Sequence, residues 1–343
     1  MLRLINSQKS KVERQKLLSS LNVSGLLSLS VAVLLLAGCS PRVATSFWKI
    51  GTEADSTKAG YAVLYEGKKM RHCYPIQEWR AEPSIDTYHQ LHHHGVAVES
   101  ELMAYRIYFD KKQTIDVYCK RKPQLELAQS FWYPNDNLLD AGYGDDILRV
   151  SGTVGVGSVK YWNGQKMVHI DPVAERSQRI VQSKKEQATI EVAVKDWQVE
   201  GKTVQMAVQY TLQAGHRDMR CDVNLSEEVE GLCTGVQTIP AKGGKDTVTI
   251  ILPNGILLAS WGTDWPVNDS VKYAKETVGL GVFIPKEFAG SPAHDKQNNL
   301  CLLKGTKPHF YLTCVGATKE NHPVATTAEE WFVYLRRWAK TLK

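Results

Sequence analysis

Residues 203–212 read Thr-Val-Gln-Met-Ala-Val-Gln-Tyr-Thr-Leu, and their alternation decides the fold. Val204, Met206, Val208, Tyr210 and Leu212 fall on one face, with mostly polar residues between them. A period of two places successive side chains on opposite faces of a strand, so this stretch reads as a half-buried β-strand. Just upstream, Ile190, Val192 and Val194 alternate in the same way, and Glu200-Gly201-Lys202 supplies a turn between the two runs. Two alternating runs separated by a glycine turn predict a hairpin.

The same signal recurs outward from this hairpin. Thr247–Leu252 and Ile256–Trp261 flank Pro253-Asn254-Gly255, a turn-forming tripeptide. Gly279–Ile284, Leu300–Leu303 and Phe310–Val315 add short apolar runs. Only the C-terminus changes period. Thr327-Ala328-Glu329-Glu330 fits a capping box, and Trp331, Tyr334, Leu335, Trp338 and Leu342 then follow at helical spacing. Many strands and one terminal helix predict an all-β fold: a large antiparallel β-sandwich with a single C-terminal α-helix. Its aromatic stripe is expected to pack rather than to bind.

The N-terminus reads as an export signal. Arg3, Lys9, Lys11, Arg14 and Lys16 precede a short apolar run, Leu26–Leu36, and Leu36-Ala37-Gly38-Cys39 follows as a lipobox. The expected division is a lipoprotein signal peptide over 1–38, a lipid-anchored tether over 39–58 and one sandwich domain over 59–343. Lipid on Cys39 would hold the mature chain to a membrane. No acidic cluster follows it in Pro41–Lys49, which favours the periplasmic face over the cell surface. The whole chain carries a net charge of +6. The first 38 residues hold five Lys/Arg and one Glu, so removing them lowers this to +2. No basic tract remains of the kind that binds nucleic acid.

Six further cysteines, Cys73, Cys119, Cys221, Cys233, Cys301 and Cys314, are an even number. Export permits disulfides, and Cys221/Cys233 and Cys301/Cys314 each flank a turn-like stretch, so both are candidate staples. Buried free thiols are the other reading. None of the spacings fits a zinc site, no metal ligand is assigned, and the cofactor stays open.

The densest polar stretch is Tyr88–Asp116, with His89, His92, His93, His94, Glu99, Glu101, Tyr105 and Arg106. In a regular strand Glu99, Glu101 and Tyr105 would share a face, and Arg106 would point away. Two carboxylates on one face suit glycosidic acid–base chemistry. A histidine or tyrosine base with an arginine to neutralise a carboxylate suits a lyase. His93, His94, Glu99, Glu101, Tyr105 and Arg106 are therefore the expected catalytic group. Asp145 and Asp146 bind a sugar hydroxyl or cap a turn beside the glycine run ending at Gly157. Trp261 and Trp265, in Trp-Gly-Thr-Asp-Trp-Pro, form a sugar-stacking platform or plug the sandwich end. Arg217 is a possible carboxylate clamp.

Glu99-Ser100-Glu101-Leu102-Met103-Ala104-Tyr105-Arg106-Ile107-Tyr108-Phe109-Asp110, with Gln113–Asp116, resembles an uncharacterised bacterial family, DUF4861. The resemblance extends through Gly142–Asp146, the glycine run, Trp261–Asn268 and the terminal Trp331–Lys340. It implies a sandwich of the kind seen in polysaccharide lyases and aldose epimerases, and an association with polysaccharide-degrading systems of Bacteroidetes. It transfers no catalytic residue. The expectation is an exported lipoprotein acting on an oligosaccharide, one containing uronic acid, as lyase or glycoside hydrolase. The alternative is a non-catalytic glycan-binding lipoprotein.

Overall fold

A computed structural model describes residues 42–240, 247–271 and 273–342. The signal segment and Cys39 lie outside the described residues. A nine-stranded antiparallel sheet forms the floor of the domain. Its order is Thr247–Leu252, Gly255–Asp264, Glu276–Pro285, His309–Gly316, Met219–Leu225, Lys202–Gln213, Gln187–Val199, Glu175–Ser183 and Glu78–Ala81. The deciding hairpin lies within it. Gln187–Val199 and Lys202–Gln213 pair antiparallel, with a bulge between Val194 and Trp197, and Glu200 and Gly201 turn between them at positive φ. Val204, Met206, Val208, Tyr210 and Leu212 are all buried on the core side, as their period requires.

Two five-stranded sheets form the second layer over that core. One runs Val43–Ser46, Gly95–Ser100, Met103–Tyr108, Ile115–Cys119 and Asp145–Asp146. The other runs Met167–Val168, Lys160–Trp162, Leu232–Gln237, Asn298–Leu303 and Ala289–His294. Isolated bridges from Ile115 to Gly155 and from Val156 to Val236 join them through the glycine run. The architecture is the expected antiparallel β-sandwich. A separate three-stranded sheet, Trp48–Gly51, Lys69–Pro75 and Ala62–Glu66, is added near the N-terminus.

The terminal helix Ala328–Thr341 lies on the other face of the nine-stranded sheet, over Leu257, Ala259, Phe283 and Val315. Thr327 caps it by accepting from the Glu330 N–H. The Glu330 carboxylate reaches back to the Thr326 N–H and hydroxyl, one residue beyond the expected box.

Three expectations are corrected. The tether predicted over 39–58 is already sheet from Val43, because Val43–Ser46 pairs with Gly95–Ser100 and buries Val43 and Phe47. The six cysteines are all free and buried, so neither staple forms; Cys221 and Cys233 stand in different sheets, as do Cys301 and Cys314. Trp261 is no exposed platform. It is buried under the terminal helix with Trp331, because Gly255–Asp264 is covered on both faces.

Candidate functional site

The polar stretch does not form one regular strand. Gly95–Ser100 and Met103–Tyr108 form a hairpin, with Glu101 and Leu102 in the turn. Glu99 pairs with Ala104, and Ala97 with Arg106. Glu99 and Arg106 therefore share the outer face, and Tyr105 points inward to the core. This reverses the expected partition. The cause is the turn at Ser100, whose hydroxyl accepts from the Leu102 and Met103 N–H groups.

Each predicted residue has a defined place. Tyr105 donates to the Arg217 carbonyl inside the core. Glu99 is buried, ion-paired with Lys120 and hydrogen-bonded by the Glu126 and Leu127 N–H groups. Glu101 sits at the far end of the hairpin, bound to Arg42 and to the Gly215 N–H. Although partial burial opposes it, the Gly215 hydrogen bond and Arg42 draw the Glu101 carboxyl below its usual range. Arg217 is buried against Glu320. Glu99 and Glu101 are therefore engaged separately and do not form a facing pair.

The histidines are structural donors in this geometry. His92 Nε2–H donates to the Ser130 carbonyl (2.7 Å), His93 Nε2–H to Leu127 (2.9 Å) and His94 Nδ1–H to Tyr88 (2.8 Å). His93 and His94 hold left-handed φ angles of 57° and 59°, ahead of Gly95. Burial, foremost, pushes His92 down to about 4 and His94 to about 3, so both stay neutral. The His94 ring is stacked on Tyr88 at 3.7 Å and packs against Trp132 at 4.4 Å. His92, His93, Glu99 and Arg106 all grip the covering segment 126–132, since Arg106 also donates to the Trp132 carbonyl.

Behind that segment lies a buried charge cluster. Arg106 Nη2 donates to Asp116 (2.5 Å) and Asp146 (2.6 Å), and the Tyr108 hydroxyl donates to Asp116 (2.9 Å). Burial works against the Arg106 charge, but Asp116 and Asp146 outweigh it and hold the guanidinium protonated. Burial and then the Asp116 charge push the Asp146 carboxyl well above its usual range. Two carboxylates around one cation leave excess negative charge in a low-dielectric site, and a retained proton relieves it. The neighbouring Asp145 is also pushed up, chiefly by burial.

This cluster meets solvent through Tyr133. Its ring lies 5.8 Å from the Arg106 guanidinium and 6.3 Å from the Tyr273 ring. Burial, with Asp146 and Asp116 nearby, raises the Tyr133 hydroxyl and keeps its proton on. Tyr133 forms one side of a cleft of about 650 Å³. One wall is the hairpin Tyr65-Glu66-Gly67-Lys68; the other is Tyr133–Asn137, with Tyr273 beside it. Glu66 is held by Arg71 (2.8 Å), and Asn135 caps the short helix Asp136–Asp140. Asp136 and Asn137 are exposed.

Trp265 is half-buried under the Lys275 ammonium, 4.0 Å from its ring, and does not line this cleft. The loop that follows it arrives through Tyr273 instead. Sequence reading missed the cleft because its walls come from segments some 70 and 140 residues apart. Its one local signal was the aromatic and amide run Phe131-Trp-Tyr-Pro-Asn-Asp-Asn137. Among the described residues no three His, Cys, Asp or Glu side chains converge to hold a metal. No described helix is long and apolar enough to cross a membrane.

Comparison with known proteins gives one family. Residues 49–343 match the domain of unknown function DUF4861. No curated protein matches the chain. Among solved structures, the chain is similar to a protein in the glycosyl hydrolase family 38 from Enterococcus faecalis, at 7% identity and a TM-score of 0.38. That match covers 89% of this chain and 41% of the other, so the chain spans about two fifths of its length.

Proposed function

The chain belongs to the DUF4861 family, and we propose that it is a carbohydrate-active lipoprotein, held by lipid on Cys39 at the periplasmic face of a membrane, that takes an oligosaccharide into the tyrosine-lined cleft. The observation that carries this reading is the cleft itself. Tyr65, Tyr133 and Tyr273 offer flat apolar rings with hydroxyl tips, and Asp136 and Asn137 offer hydrogen bonds beside them. Sugars present the matching surface, an apolar ring face with polar edges. A volume of about 650 Å³ suits a small oligosaccharide better than an extended polymer.

For hydrolysis, Glu66 and Asp136, one from each wall, are the acid–base candidates. For uronate elimination, Lys68 is the cleft's cation, and Tyr133, whose proton is held on, is a donor rather than a base. Arg106 and Asp146 support the cleft from behind Tyr133, and His94 packs against the adjoining Trp132. The reading is tested with a panel of oligosaccharides, scored for new reducing ends and for unsaturated product. Reducing ends alone identify a hydrolase, and ultraviolet absorbance of the product identifies a lyase. A non-catalytic binder is the second reading. It is favoured by the containment of the strongest charges: the Arg106, Asp116 and Asp146 side chains are nearly inaccessible. It predicts affinity without turnover.

A further inference from the structure

We propose that the end of the sandwich around Arg42 is a membrane-docking surface for anionic phospholipid headgroups, so that the domain lies against the bilayer with the hairpin tip at Lys68 held away from it. The proposal rests on the lipid-anchored reading of Cys39. Only residues 40 and 41 stand between that cysteine and Arg42. Three residue steps of fully extended chain reach about 10 Å. From Arg42 onward the chain has no slack, because Val43–Ser46 is a strand of the sandwich and the Arg42 N–H bonds the Lys185 carbonyl. A lipid on Cys39 thus fixes which end of the domain meets the membrane.

That end is basic. Arg42 is bound to Glu101, whose neighbours in a small cavity include Arg121 and Lys122. The turn carrying exposed Lys184 and Lys185 lies beside Arg42 through the Lys185 carbonyl. Of the carboxylates here, Glu101 and Glu320 are taken up by Arg42 and Arg217, which leaves exposed Glu186, exposed Asp140 beside Lys122 and half-buried Asp218 against Arg121, Lys122, Lys184 and Lys185. Basic side chains within a Debye length of an anionic leaflet are drawn to it. The hairpin that carries Lys68 lies the other way. The extended stretch 43–51 runs from Arg42 to the three-stranded sheet that bears Tyr65, about 30 Å of chain at ~3.3 Å per residue. The anchor would then hold that hairpin tip away from the bilayer.

The test exploits the six buried free thiols and a Cys39 whose sulfur carries the lipid, which together leave a new surface cysteine as the reactive one. Lys122→Cys, Lys185→Cys and Lys68→Cys are made in the full-length chain and expressed in a bacterial host. Each is dye-labelled and reconstituted into vesicles of phosphatidylethanolamine with a minority of phosphatidylglycerol carrying a headgroup quencher. Quenching at positions 122 and 185 should exceed that at 68 by roughly threefold or more. Equal quenching at all three, or stronger quenching at 68, would overturn the proposal. The anchor is scored separately, by vesicle flotation and by the mass of the N-terminal peptide. A chain that floats with a lipid-modified Cys39 but shows no positional difference defeats the docking surface alone. A chain that neither floats nor carries lipid defeats the anchored reading and the docking surface with it.

Discussion

The buried histidines make stability depend on pH near neutrality. His92, His93 and His94 are neutral donors to backbone carbonyls, and burial lowers each below its ordinary 6.5, His92 to about 4 and His94 to about 3. In the unfolded chain each protonates near 6.5. Between 6.5 and about 4 the unfolded state therefore binds more protons, and stability falls as pH falls. At pH 5 His92 and His94, both still neutral when folded, each contribute about 2 kcal/mol, from the distance between 6.5 and pH 5 at 1.36 kcal/mol per pH unit. The two together come to about 4 kcal/mol, a large part of the stability of an ordinary domain, and His93 acts in the same direction. The contribution is fully present above about pH 7 and is lost as pH falls toward the folded values. Urea unfolding followed by tryptophan fluorescence at pH 7.5 and pH 5.0 measures it. His92→Gln can still donate to the Ser130 carbonyl, so the drop between the two pH values should shrink by about 2 kcal/mol. An unchanged drop in that variant, or a wild type equally stable at both pH values, would refute the reasoning.

Other perturbations read different parts of the structure. Lys120→Met leaves Glu99 charged and buried without its partner, which should cost 3–5 kcal/mol by urea titration. Trp261→Ala opens a cavity beneath the terminal helix and should lose about 3–5 kcal/mol, with glycan affinity per folded molecule intact. Gly95→Ala would place a methyl 2.0 Å from the Ile107 carbonyl at a φ of 156°, and the folded yield should collapse. Reductant should leave the melting temperature unmoved, and a thiol reagent should report the six buried cysteines only after unfolding.

The fold was legible where periodicity was strong. Val204–Leu212, the turn at Glu200-Gly201 and the terminal helix behind Thr327 all follow from spacing, because each buries one face against one partner. Trp261 was not legible, since Gly255–Asp264 is covered on both sides and its alternation separates two cores rather than core from solvent. The polar stretch was correctly located as a concentration of charge, and Arg106 and Asp146 do meet. Its faces were misread because the turn after Ser100 breaks the run into two strands. Tyr65, Tyr133 and Tyr273 carry no pattern of their own; only the folded topology brings their segments together.

The central claim is the glycan cleft, and calorimetric titration of the wild type and Tyr133→Ala tests it most directly, using oligosaccharides chosen by a binding screen. Loss of one stacking ring should weaken binding roughly tenfold, about 1.4 kcal/mol, while the melting temperature changes little, since Tyr133 is only half-buried at the cleft wall. An oligosaccharide that binds Tyr133→Ala and wild type equally, or a screen in which no glycan binds the folded protein, would contradict the account.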